Sequence, residues 1–218
     1  MRVESTSIER DLDDFTRINH KGIGTLVLKK GETNHIRITA DPDIIDNVKA
    51  EVYAGVLEIK MVDAVEAGVR ALFKLKKPDY KIEITYTKIT HLTQRGVGNV
   101  LHEGVMEVPK FSIENRGVGD VMLHIHAQEL NTQLLGVGSI ELIGEVDNHH
   151  IEIKGTGKLG AQDLETKKTH IVSSGVGTSR VNASEQLYAE LNGVGKISYR
   201  GNPRVESKLN GLGSIVSE

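Results

Sequence analysis

The chain of 218 residues carries nine histidines. Imidazole offers both a lone pair and an exchangeable proton near neutral pH. Spacing sorts these residues. His124 and His126 stand two apart and share one face of any strand, whereas His149 and His150 are adjacent and point to opposite faces. His150 and His170 each lie five residues before a Gly-x-Gly tripeptide. Tyr188 and Glu206 hold the same place before the next two. If the tripeptides mark equivalent points in stacked repeats, His150, His170, Tyr188 and Glu206 form an outward ladder with neighbours about 5 Å apart. Such a ladder is a candidate binding strip, and two of its imidazoles could share a metal ion. A resident metal needs more ligands and an outer layer of support. The expectation is therefore a polar ladder with no metal and no cofactor.

Other constellations point to less. Gly155-Thr156-Gly157-Lys158-Leu159-Gly160 matches a dinucleotide-binding fingerprint. That fingerprint works only where a strand feeds a helix N-terminus, and here it leads into strand-like sequence. A glycosidase needs paired carboxylates across a cleft. Glu103, Glu114, Asp120, Glu141, Glu152 and Glu190 mostly fall at outward places beside Lys or Arg, and Glu152 has Gln133 and Val172 as column neighbours. No outward column stacks carboxylates in successive coils with an evident base such as Arg or Lys above them, so the surface is expected to be solvated and no catalytic residue is assigned. No nucleophile elbow occurs.

What positions these side chains is a repeat. Gly22-Ile23-Gly24 is an outlying first copy. Then come Gly96-Val97-Gly98, Gly117-Val118-Gly119, Gly136-Val137-Gly138, Gly155-Thr156-Gly157, Gly175-Val176-Gly177, Gly193-Val194-Gly195 and Gly211-Leu212-Gly213, at steps of 18 to 21 residues. A period near 20 marks a solenoid whose repeats bury their apolar sides only by stacking. Two residues after the second glycine stand Leu26, Val100, Val121, Ile140, Leu159, Ser179, Ile197 and Ile215, whereas the residue just after it is polar in every copy. Before each tripeptide a second alternating stretch occurs, such as Ile151 and Ile153 around Glu152. Two short strands per repeat, meeting at a glycine corner, satisfy both patterns. Equivalent strands must run parallel because the chain always returns in the same direction. The spacing is not a strict hexapeptide, and crossover handedness favours the right-handed form. The expected fold is an all-β, right-handed parallel β-helix of roughly ten coils.

The whole chain, 1–218, is read as one β-helix domain, with a lead-in or cap at 1–21 and regular repeats over 88–218. Strands are expected near Gly22–Gly31, His35–Thr39, Glu51–Tyr53, Val56–Met61 and Lys81–Thr87. A short helix is capped by Asp41 with Pro42 at its first position. An excursion at 63–80 breaks the pattern, with Val65, Val69, Leu72 and Phe73 at helical spacing. A helix, a lid or an irregular loop all suit it.

The net charge of −3 gives no footprint for nucleic acid, and no apolar run reaches a membrane span. Without cysteine there is neither a disulfide nor a thiolate site. The polar N-terminus has no signal-peptide core. The Gly-x-Gly series, the Phe15–Ile18 lead-in and the closing Ile197-Ser198-Tyr199-Arg200-Gly201-Asn202-Pro203 resemble the family described as putative auto-transporter adhesin head domains, the GIN domain. The likeness runs from Leu12 to Ile215. It implies a pectin-lyase-like right-handed β-helix, usually on exported bacterial proteins, with no established catalytic residues. The leading expectation is a non-enzymatic surface or scaffold module for adhesion, with a protein or glycan partner. Self-association through coil ends or flat faces is also expected. The alternatives are a carbohydrate-active enzyme of the lyase-like class and a metal-binding module on the histidine ladder.

Overall fold

The computed structural model describes residues 5–62 and 80–218. The fold is all-β, 75% strand, and forms a solenoid of about seven turns from stacked parallel coils. Two compact units divide the chain, 1–103 and 104–218. Most of the excursion read at 63–80, including its helical spacing, lies outside the described residues.

In the second unit, β10 (Val121–Leu134), β11 (Val137–Ile153), β12 (Thr156–Ser173) and β13 (Val176–Leu191) lie side by side in parallel. Beyond β13 the next coil splits into β14 (Val194–Arg200) and β15 (Arg204–Leu209), both on β13, and β16 (Leu212–Ser217) follows on β14, again all parallel to what they stack on. In β10 to β13 the strand is therefore continuous from one glycine corner to the next, bending on the way. The two short strands expected per repeat are separate only in β14 and β15.

Register follows the glycines. Gly138, Gly157, Gly177, Gly195 and Gly213 pair in succession. The reason is steric. A Cβ on Gly155 would sit 2.0 Å from the Gly136 carbonyl oxygen, and one on Gly157 would sit 1.7 Å from that of Gly138. Gly157 also takes a φ of +154°, which disfavours an L side chain. Stacked corners approach so closely that only glycine fits at both positions.

Between corners the inward columns fill the core. Ile140, Leu159, Ser179 and Ile197 stack in one, and Leu134, Ile153, Ser173 and Leu191 in another, all buried. Each fully buried aliphatic side chain contributes about 1.5–3 kcal/mol. Asn115 is an inward polar residue with a task. Its amide donates to the Gly119 carbonyl at 2.9 Å, and its Oδ1 accepts from the Gly117 N–H at 3.1 Å. It thus closes the glycine corner from inside, where an unpaired amide would cost about 1–3 kcal/mol.

In the first unit the same logic holds only in part. β2 (Arg17–His20) lies parallel to β6 (Val56–Met61) and to β8 (His91–Gln94). β3 (Thr25–Lys30) lies parallel to β7 (Lys81–Tyr86) and to the start of β9 (Val100–Asn115). These are stacked rungs. β1 (Thr6–Asp11), β4 (His35–Ala40) and β5 (Val48–Tyr53) instead run antiparallel to their neighbours: β1 to β4, β4 to β7, and β5 to β6. Among the described residues these strands add no parallel rung, and the solenoid has about seven turns where roughly ten coils were expected. The short helix α1 (Pro42–Ile45) forms as expected, with Asp41 Oδ1 accepting from the Asp43 N–H at 2.9 Å.

Candidate functional site

The ladder residues fall in register on one face of the second unit. His150 pairs with His170 between β11 and β12, His170 with Tyr188 between β12 and β13, and Tyr188 with Glu206 between β13 and β15. The first three come together as rings. His150 and His170 have centroids 5.9 Å apart, with planes tilted 42°. His170 lies flat on Tyr188 at 4.5 Å and 10°. Lys208 Nζ is 5.3 Å from the Tyr188 ring centre, within cation–π range. Glu206, at the end of the column, is exposed on β15.

A second column on the same face supports the first. Gln133, Glu152, Val172, Glu190 and Lys208 pair in succession. The Tyr188 hydroxyl donates to Glu190 Oε2 at 2.5 Å, and Asn192 donates to the other Glu190 oxygen at 2.8 Å. These two bonds hold the Glu190 carboxyl below its usual range. Burial, then the neighbouring His150, pushes the His170 imidazole down, with Glu190 opposing. A shallow groove of about 290 Å³ runs between the columns, bordered by Asn131, Gln133, His150, Glu152 and His170.

The remaining histidines divide as their spacing implies. His149 turns inward and is 1% exposed, with Nε2 2.9 Å from the Thr132 hydroxyl and Nδ1 unpartnered. Burial, and secondarily His150, pushes it down to about 3. His124 and His126 sit edge to face, with centroids 5.6 Å apart. Gly155, Gly157 and Gly160 belong to a corner and its outgoing strand. A Cβ at Gly160 would meet the Glu141 carboxylate at 1.8 Å.

One feature escaped the sequence alignment. Glu145 and Glu165, both exposed, are directly opposite each other in β11 and β12, and His126 is opposite Glu145 in β10. This column stacks two carboxylates, with a histidine as the neighbour on β10, beside a groove of about 530 Å³. The cause is a register shift between Glu141 and Ile143, where their partners Gly160 and Asp163 leave one more residue between them. Counted forward from the preceding glycines, Glu145 and Glu165 fall one position apart, whereas counted back from the next tripeptide each lies ten residues before its first glycine and the two coincide.

A family model described as "Putative auto-transporter adhesin, head GIN domain" matches residues 14–203. The chain belongs to that family. No curated protein matches this GIN domain. Among solved structures it is similar to a putative adhesin from Bacteroides fragilis, 26% identical, covering 99% of this chain and 97% of the other at a TM-score of 0.89. A putative lipid binding protein from Parabacteroides distasonis is 23% identical over 98% and 96%, at 0.75. A putative adhesin from Parabacteroides merdae is 18% identical over 99% and 96%, at 0.70. The last two speak to the fold alone.

Proposed function

We propose that this GIN domain is a non-enzymatic, surface-located adhesin-like module whose binding face is the strip His150, His170, Tyr188 and Glu206. One observation carries the reading: three rings from successive coils meet on an exposed, strand-braced face. Backbone pairing fixes their spacing in advance, so little conformational freedom is lost when a partner docks. The family and the Bacteroides fragilis neighbour support an adhesive role. Because His170 and Tyr188 cover each other's faces, the strip offers ring edges and polar tips. That suits hydrogen bonding to a protein or to glycan hydroxyls better than stacking on a sugar face. The test is a glycan and matrix-protein array probed with labelled protein, with the eluate assayed for released fragments. Retention without release supports the proposal; fragment release or no retention opposes it.

The Glu145–Glu165 column favours a second reading, carbohydrate cleavage. Strands stack about 4.8 Å apart, close to the roughly 5–5.5 Å between the carboxyls of a retaining glycosidase. Reducing-end release that disappears in Glu165→Gln supports it. Undiminished release in that variant removes it.

Self-association is also proposed, through the last coil. Leu209 on β15 is 52% exposed, whereas Leu191, its partner on β13, is 1% exposed. Light scattering showing a dimer that Leu209→Glu dissociates supports this contact; a monomer at every concentration contradicts it.

A further inference from the structure

We propose that His150 and His170 form a surface two-imidazole site for a divalent late transition metal, copper or nickel before zinc, with water completing the coordination. The inference rests on the same strip as the proposed binding face and names a chemistry for it.

Geometry comes first. An ion about 2.0–2.1 Å from an imidazole nitrogen lies roughly 3.2 Å from the ring centre. Two rings on one ion then have centres about 4.5 Å apart at a right angle and about 6.4 Å apart when opposed. His150 and His170 stand at 5.9 Å with their planes inclined by 42°, inside that range. Parallel pairing between β11 and β12 places them directly opposite each other. The two ligands are therefore held together before any metal arrives.

Tyr188 supplies the second, independent observation. It lies flat against His170, so one face of that imidazole is covered and its edge is left accessible. The coordinating lone pair lies in the ring plane, at that edge. Tyr188 is itself tied down by its bond to Glu190, so the contact also restrains the His170 ring. The groove beside the two histidines, about 290 Å³, has room for an ion with its water.

Chemistry selects the metal. Among the described residues no cluster of three or more His, Asp or Glu is placed to hold an ion. A closed structural zinc site is therefore not built here. Two imidazoles plus water instead follow the general order of affinity among divalent first-row metals, which rises through nickel to copper and falls again at zinc. An exchangeable ion on an exposed strip has open positions, through which a partner's histidine or carboxylate could join the coordination.

The test is calorimetric titration of the tag-free chain with copper and nickel at neutral pH, with copper paramagnetic resonance in parallel. The chains are the wild type, His150→Ala, His170→Ala, His170→Gln, and a His124→Ala/His126→Ala control. The proposal expects one high-affinity copper per chain, with two nitrogen couplings. It expects affinity lower by at least about tenfold in each His150 or His170 variant, and unchanged affinity in the control. Both positions are exposed, and circular dichroism of each variant verifies the fold. A flat wild-type titration, wild-type affinity in the His150 and His170 variants, or loss only in the control overturns it. Array binding repeated with a chelator separates the two readings. Retained array binding with flat titrations sinks the metal site alone, whereas metal binding without any array partner sinks the adhesive reading alone.

Discussion

Replacing His149 with leucine should flatten the acid sensitivity of folding. His149 is buried between coils, opposite Leu130 in β10 and Thr169 in β12, with no charged group in that inward column. Its folded pKa is lowered from 6.5 to about 3, by burial first and by His150 second. An imidazole depressed in the folded state binds its proton more readily when unfolded. Its contribution is fully present above about 6.5 and is lost progressively as pH falls towards about 3. At about pH 5 the gap from the ordinary value is roughly 1.5 units, which at about 1.4 kcal/mol per unit gives ~2 kcal/mol. The figure does not depend on the folded value so long as that stays below about 4. Leucine leaves the Thr132 hydroxyl without its 2.9 Å partner, costing about 1 kcal/mol at every pH, so that cost cancels in a difference. His20, also buried and lowered, is present in both chains and cancels too. The assay is urea unfolding at about pH 7 and about pH 5. Between the two, the wild type should lose ~2 kcal/mol more than His149→Leu. Parallel losses would refute the burial of a neutral imidazole at this position.

Two further substitutions probe the backbone. Gly157→Ala should cost on the order of 3–4 kcal/mol or prevent folding, because its Cβ would overlap the Gly138 carbonyl. Gly55→Ala, with φ +72° but no atom within 4 Å of the added carbon, should cost only about 1 kcal/mol. Equal destabilisation in thermal melts would mean that conformation, not close approach, sets the glycine requirement. Ala54, beside it in the β5–β6 turn, holds φ +48° without being glycine. Ala54→Asn should stabilise by roughly 0.5–1 kcal/mol, since asparagine tolerates this region; a lower melting point would count against that turn geometry.

The repeat was legible because close approach at the corners leaves no substitute for glycine, as Gly155 and Gly157 illustrate. Everything counted from those corners within an unbroken register was legible as well, including the His150–His170–Tyr188–Glu206 column and the opposite facing of His149 and His150. Strand direction in the first unit was not. Alternation at Ile36 and Ile38 reads the same whether a strand returns as a parallel rung or folds back, and β4 folds back against β7. The Glu145–Glu165 column is missed by counting forward from the glycines but found by counting back ten residues from Gly155 and Gly175. The residue inserted around Gln162 is absorbed as an outward bulge, which shifts the register without disturbing the next glycine pair. The face-to-face packing of His170 on Tyr188 was out of reach of any pattern, because it depends on rotamers as well as on register.

The adhesive account is tested most directly by comparing two triple variants in a binding assay on intact target cells or an immobilised matrix. One is His150→Ala/His170→Ala/Tyr188→Ala on the ring strip. The other, His126→Ala/Glu145→Gln/Glu165→Gln, lies in the other groove. Loss of at least about tenfold in retention confined to the first is the predicted result. Undiminished retention by the first variant, or equal loss in both, would contradict a binding face built on the stacked rings.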